Sequence, residues 1–414
     1  MSPTGNMFAM RGVMKLGAVG LVAVQAVWVA ISLYQTVISI AGRLKHPRHP
    51  VAPIIPPRFF VIVCARNEGP VIPRILADLL AQDYPPGQFE VAVVAHNCTD
   101  STAAVAAAAG VRVIELATER PGKAAAIRAG LAAAGDGWDF VGVFDADARV
   151  PSDLLTRVAE ASAGEVCLQV ETVPPDSDDW LVAGYALGRR ARNALWWRPR
   201  EVLGLGTTIS GCGFFIDPVL LDRTLRGLRT LTEDLEATAR LYAEGYRVAY
   251  VSSTFVRVGE PHQFKASVSQ RSRWARGHLR VLLHEWPGLV AQGFRGDPRA
   301  FDMAVYLAAP TRLLTRTMVT ASFCASALQL SFALPFGLVA VVFGGEWLVP
   351  AYVSLREHIL PANRHGLALA VRHGILSLLW FPIGLWAAVT PWSKSWHVMP
   401  RPAAEEETAN AAAA

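Results

Sequence analysis

Two carboxylates separated by one residue, Asp145 and Asp147, open the list of side chains here whose types and spacing can do chemistry. Hard oxygen donors suit Mg²⁺ or Mn²⁺, ions that ordinarily share their shell with phosphate oxygens. Lys123 follows Arg120-Pro121-Gly122 at the head of an alanine-rich stretch. A lysine at a helix N-terminus, with a glycine permitting close approach, suits a diphosphate; the alternative is an ordinary loop cation. Thr232-Glu233-Asp234 precedes a helical pattern closed by Gly245. It reads either as a capping segment or as a carboxylate placed as general base toward a hydroxyl. Gln270, Arg273 and Trp274 recur at i, i+3 and i+4 and share one helix face. That face suits a diphosphate and a sugar ring, or equally the headgroups and aromatic belt of a membrane surface. Ser210-Gly211-Cys212-Gly213 before Phe214-Phe215 is a strand-entry turn or a place where an acceptor approaches the backbone.

These groups need rigid elements to hold them. Phe59–Cys64, Phe89–Ala95, Val111–Leu116 and Phe140–Phe144 are short apolar runs of the kind buried on both faces of a parallel sheet. They alternate with helical stretches over Asn67–Ala81, the alanine-rich segment ending at Gly110, and Ala124–Ala134. Alternation of this kind predicts an α/β domain with right-handed crossovers, and ligands in such sheets bind at the carboxyl ends of strands. Asp145-Ala146-Asp147 lies at such an end. No G-x-G-x-x-G follows the first strand, which disfavours a dinucleotide oxidoreductase.

The 414 residues are 52% hydrophobic and 18% charged, too apolar for a purely soluble protein and too polar for one wholly in a membrane. Leu16 to Ile40 contains no charge and is long enough to cross a bilayer, with Arg43, Lys45, Arg48 and Arg58 after it against Arg11 and Lys15 before. The positive-inside rule puts the α/β domain on the cytoplasmic side of a cell membrane. Further apolar zones run from Leu313 to about Leu355, broken near Ser331–Pro335, and from Gly366 to Thr390, with Arg372 and His373 at an interfacial end. The expected organisation is a membrane helix in 1–45, the α/β domain in 55–290, an interfacial segment in 291–312, two or three spans in 313–392 and a tail in 393–414. A net charge of +5 fits anionic lipids or phosphorylated substrates, and no nucleic-acid module is present. Five scattered cysteines form no C-x-x-C, so neither a disulfide framework nor a zinc site is indicated, and a reducing compartment is the simpler reading.

Taken in order, Asn67-Glu68, Asn97-Cys98-Thr99-Asp100, Gly122-Lys123, Asp145-x-Asp147, Thr232-Glu233-Asp234 and Gln270-Arg271-x-Arg273-Trp274 resemble glycosyltransferase family 2, in its membrane-integrated branch with the cellulose, hyaluronan, chitin and poly-N-acetylglucosamine synthases. The resemblance implies a GT-A fold (Rossmann-like, with a mostly parallel sheet) flanked by transmembrane helices, and an inverting single displacement. It implies that Asp147, helped by Asp145, holds Mg²⁺ or Mn²⁺ on the nucleotide diphosphate. Asp234 becomes the base with Glu233 beside it; Gln270, Arg273 and Trp274, with Gly211 and Cys212, frame the diphosphate and acceptor. Glu68, Asn97, Asp100, Lys123 and Asp145 bind the donor. His96 departs from the acidic pair that many relatives carry there and leaves the nucleobase open. Trp396–Arg401 faintly resembles the gating loop of cellulose synthases. The expected activity is transfer from a nucleotide-sugar, UDP-linked by the resemblance, onto a growing saccharide at the membrane. The alternative is single addition to a membrane lipid, as in the ceramide glucosyltransferases, and a remote one is a non-catalytic scaffold. A partner that exports product is not readable from the sequence.

Overall fold

A computed structural model describes residues 3–45, 53–119, 122–175, 177, 179–230, 232–309, 312–330, 333–357, 359 and 364–390. The tail with Trp396–Arg401, and Arg120-Pro121, lie outside the described residues. Seven strands form one sheet: β1 (Phe59–Ala65), β2 (Phe89–His96), β3 (Arg112–Leu116), β4 (Phe140–Asp145), β5 (Cys167–Val173), β6 (Phe214–Ile216) and β7 (Ala249–Arg257), in the spatial order β3-β2-β1-β4-β6-β5-β7. Only β6 runs antiparallel to its neighbours β4 and β5. The four apolar runs read from the sequence are the parallel half, and their register sets Cys64 opposite Asp145.

The helices are α1 (Pro3–Leu44), α2 (Ile72–Leu80), α3 (Thr102–Ala108), α4 (Lys123–Ala134), α5 (Leu154–Ala161), α6 (Trp180–Arg192), α7 (Arg198–Leu203), α8 (Pro218–Leu225), α9 (Glu233–Ala243), α10 (Phe264–Phe294), α11 (Pro298–Ala308), α12 (Arg312–Ala327), α13 (Phe336–Arg356), α14 (Arg364–Leu378) and α15 (Trp380–Val389). A π-helical turn, Asn193–Trp197, joins α6 to α7. The sheet is covered on both faces. Ile72, Ile75, Leu76 and Leu79 of α2 and Leu154, Leu155 and Val158 of α5 pack one side. Ile127, Leu221, Leu241 and Val281 of α4, α8, α9 and α10 pack the other. Each such fully buried aliphatic contributes roughly 1.5–3 kcal/mol.

Two boundaries differ from expectation. The helix expected from Asn67 starts at Ile72, because Asn67 has φ +57° and the chain turns there before Pro at the helix start can act. The segment 291–312 is not a surface strip: Ala300, Met303, Ala304 and Leu307 of α11 enter the same core as α10.

Among the described residues, three stretches are long and apolar enough to cross a membrane: Ala18–Leu44, Phe336–Arg356 and Gly366–Val389, the last running through α14 and α15. The 16 residues of α12, at 1.5 Å each, reach only about 24 Å against a core of roughly 30 Å. The apolar helices are tied to the α/β unit by polar side chains. Tyr34 of α1 donates to Asp302 of α11 at 2.9 Å, and Asp302 is held by both Nε and Nη2 of the buried Arg200 at 2.9 and 3.0 Å. His373 and Leu376 of α14 rest against Gly188 and Gly184 of α6, so Arg372 and His373 sit against α6.

Candidate active site

The carboxyl ends of β1 and β4 and the turn before β6 meet around one salt bridge. Asp145 is the last residue of β4, and its backbone N–H points to Cys212 Sγ at 3.4 Å. Lys123, first residue of α4, donates to the Asp145 carboxylate and to Gly211 O at 2.6 Å. Burial opposes the lysine charge, but the Asp145 carboxylate outweighs it and holds Lys123 well above the usual ammonium range. Asp147 faces the segment after β7: its Oδ2 lies 3.0 Å from the position a Cβ would take at Gly259. Burial pushes the neighbouring Cys64 thiol up to about 12 and raises Cys212 as well, so neither is a ready nucleophile.

Glu233 and Asp234 form the first turn of α9. The loop before them is locked by the buried Glu236, whose carboxylate accepts from Arg229 N and Thr230 N at 2.9 and 2.8 Å. Thr232 makes no side-chain cap. Its methyl and hydroxyl instead press on Gly277 of α10, 2.3 Å from where a Cβ would be, so that α9 and α10 close tightly here. Asp234 Oδ1 accepts from Leu235 N at 2.8 Å, while Oδ2 lies 3.3 Å from the Cβ position of Gly211. Gly211 itself has φ +79°, a conformation that disfavours any side chain. Both acids are part-exposed to the cavity, yet enclosed by protein. Burial and then the charge of Asp234 push the Glu233 carboxyl up to about 7, and burial raises Asp234 too; Lys123 and Arg273 act in the opposite direction on both. An acid with a pKa near neutrality, facing two cations, is suited to exchanging a proton with a bound hydroxyl.

Gln270, Arg273 and Trp274 of α10 line the same cavity as Lys123, Asp145, Asp147, Gly211, Cys212, Glu233 and Asp234. Glu68 lines it also, its backbone N–H held by Thr102 Oγ1 at 2.8 Å. Asn97 and Asp100 do not. Asn97 spends its amide on the backbone of Thr118, donating at 2.8 Å and accepting at 2.8 Å, and so pins the end of β3. Asp100 accepts from Gly69 N, Thr102 N and Thr102 Oγ1; burial works against its ionisation, but these bonds prevail and hold it below the ordinary range. Both side chains are engaged within the loops at the carboxyl end of β2.

Asp145 and Asp147 supply hard oxygens, and among the described residues no cluster of three or more metal-ligating side chains gathers. That donor set fits a divalent ion that completes its shell with phosphate oxygens and water and would not hold one unaided.

The cavity, about 2620 Å³, continues past this polar end to Thr320, Cys324, Trp347, Leu378, Leu385 and Ala388 of the apolar helices. Its middle is walled by residues that motif reading missed: Arg192, Trp196, Trp197, Tyr250, His278 and Tyr306. The run Arg189-Arg-Ala-Arg-Asn-Ala-Leu-Trp-Trp-Arg-Pro-Arg200, cationic and aromatic together, was the one available signal.

A family model described as "Glycosyltransferase like family 2" matches residues 56–277. The beta-monoglucosyldiacylglycerol synthase of Synechocystis sp. is 32% identical over 262 residues, covering 61% of this chain and 54% of that protein. The enzyme of the same name from Nostoc sp. is 27% identical over 257 residues, covering 60% and 54%. The chain thus spans about half the length of the curated relatives it matches. Among solved structures, the mannosyltransferase PcManGT of Pyrobaculum calidifontis, in complex with GDP-Man and Mn²⁺, aligns with TM-score 0.53 at 20% identity over 89% of this chain and 98% of that one, a likeness of GT-A fold. With more than half of its 414 residues inside the family match, the chain belongs to glycosyltransferase family 2.

Proposed function

We propose that this enzyme adds a single sugar to a membrane lipid, with Asp234 as general base. The observation that carries the lipid acceptor is the cavity, which runs without interruption from Asp234 to side chains of α12, α13, α14 and α15. A hydroxyl on a lipid could reach the carboxylates through that space, passing from the apolar helices to the polar end. The names of the curated relatives, synthases of a glucosylated diacylglycerol, support the same acceptor class. Polymer extension, the first expectation from the Gln270-x-x-Arg273-Trp274 motif, has no comparable observation in its favour.

In this mechanism Gln270 and Arg273 grip the donor diphosphate and Trp274 borders the acceptor end. Asp147, with Asp145, would hold Mg²⁺ or Mn²⁺, which when bound neutralises charge on the leaving diphosphate. Lys123 steadies Asp145 and adds a positive charge on the donor side. Asp234 takes the acceptor proton, and Glu233 shares the charge. The acceptor oxygen attacks the anomeric carbon from the face opposite the diphosphate, which gives inversion. The positive residues after α1 favour a cytoplasmic catalytic domain in the cell membrane. One crossing before that domain and two after it would return the tail to the catalytic side.

Purified protein in nanodiscs, given UDP- or GDP-sugars, Mn²⁺ or Mg²⁺ and a lipid extract, should yield a labelled glycolipid of one added sugar, and Asp234→Asn should yield none. A ladder of longer products would replace this reading with polymer synthesis.

A further inference from the structure

Five arginines lie between Trp180 and Leu203. Arg189 is paired with Glu260, Arg198 with Glu171 at 2.7 Å, and Arg200 with Asp302 at 2.9 Å. Arg190 is engaged as well. Arg192 differs: it has no hydrogen bond or ion pair among the described residues, and its side chain opens on the cavity. The carboxylate that acts on it, Glu260, is already committed to Arg189, with Arg271 at 4.0 Å on its other oxygen. The remaining oxygens near it are the phenols of Tyr250 and Tyr306. The Arg192 side chain is exposed, and the space it is exposed to is the cavity; the surrounding protein, and then the like charge of Arg189, lower its pKa.

Two independent features mark the place. Arg192 is the residue from which the π-helical turn Asn193–Trp197 begins, and such turns cost regular hydrogen bonding and recur at functional sites. That turn also sets Trp196 and Trp197 into the wall. Tyr306 lines the same cavity, its ring packed on Trp196 and Trp197 with centroids 5.7 and 5.3 Å away.

We infer that the acceptor carries an anionic group, a phosphate or carboxylate, and that Arg192 receives it. The inference rests on the lipid-transferase reading. A planar guanidinium makes paired, charge-assisted bonds to such a group. Bound this way, an acceptor would have its anion at Arg192 and its hydroxyl past Tyr306, at Asp234. The site would then reject a neutral diacylglycerol by leaving the guanidinium without a partner.

The test uses the full chain in detergent and tryptophan fluorescence, with dioctanoylphosphatidate, dioctanoylglycerol and inorganic phosphate as probes. The phosphatidate should bind about tenfold or more tightly than dioctanoylglycerol, and free phosphate only weakly. Arg192→Ala should abolish that preference and leave UDP affinity within about twofold, and Arg192→Lys should keep part of it. The unliganded Arg192→Met protein should melt at or above the wild-type temperature, since no pair is broken. Equal affinity for the two lipids, a preference that survives in Arg192→Ala, or a loss confined to UDP would each overturn the inference. Should phosphatidate bind through Arg192 while no sugar reaches any lipid, the anion site stands and the lipid-transferase reading falls.

Discussion

The two halves of the sheet solve the problem of holding polar groups in different ways. On the β3-β2-β1-β4 side, Asp145, Lys123 and Asn97 are positioned by strand ends, a helix start and backbone hydrogen bonds, over a core of Phe, Val and Ile. On the β6-β5-β7 side, the wall facing the apolar helices is built from arginines paired with buried carboxylates: Arg198 with Glu171, Arg189 with Glu260 and Arg200 with Asp302. The first half is rigid through packing, with a single salt bridge, Lys123 with Asp145, at its centre. The second depends on each charge finding its partner, because an unmatched ion in protein is costly. In the proposed lipid-transferase reading, a donor with a fixed diphosphate suits the first arrangement and an acceptor arriving from lipid meets the second.

The comparison can be broken at its joint. Asp234→Asn should lower kcat by about 10²–10⁴-fold with donor KM little changed, read by initial rates. The same variant should not lose thermal stability. A carboxyl whose folded pKa is raised binds its proton more tightly when folded, so its ionisation costs stability as pH rises through the ordinary carboxylate range toward the folded value, and Asn removes that cost. A variant that melts well below wild type would mean Asp234 is structural.

On the membrane-facing half, Arg200→Ala strands Asp302 and should cost about 3–5 kcal/mol in denaturant unfolding. A loss below about 1 kcal/mol would show that the buried pairs are not what stiffens this side. Gly277→Ala should force Thr232 aside and misplace Glu233 and Asp234, for a loss of about 10²-fold in kcat with the fold intact by circular dichroism. The smallest effect is on pH dependence. Glu233 has its carboxyl pushed up to about 7, so kcat/KM should fall as pH drops below about 7, where the pair gains a proton, and level off above it. A plateau reaching down to about pH 5 would remove Glu233 from the proton's path.

The same division governs what the sequence makes legible. Four apolar runs, the Asp145-x-Asp147 pair at a strand end and Gln270, Arg273 and Trp274 on one helix face follow from period and spacing, and the structure has the acids and the helix face in one cavity. Asn97 and Asp100 mark a limit of such reading: a side chain that bonds its own loop looks, in sequence, like one that awaits a ligand. Arg192 and Tyr306 are not legible. They are 114 residues apart, and only the packing of α11 against the π-helical turn makes them neighbours.

The chain Tyr34–Asp302–Arg200 carries one more consequence. It fastens the first apolar helix to the base of the catalytic unit at a set height, as a depth gauge is fastened to its frame. A bilayer that is too thin or too thick makes a spanning helix tilt. With the helix clamped there, the carboxylates tilt with it, and the distance from lipid surface to Asp234 becomes a property of the membrane as much as of the enzyme.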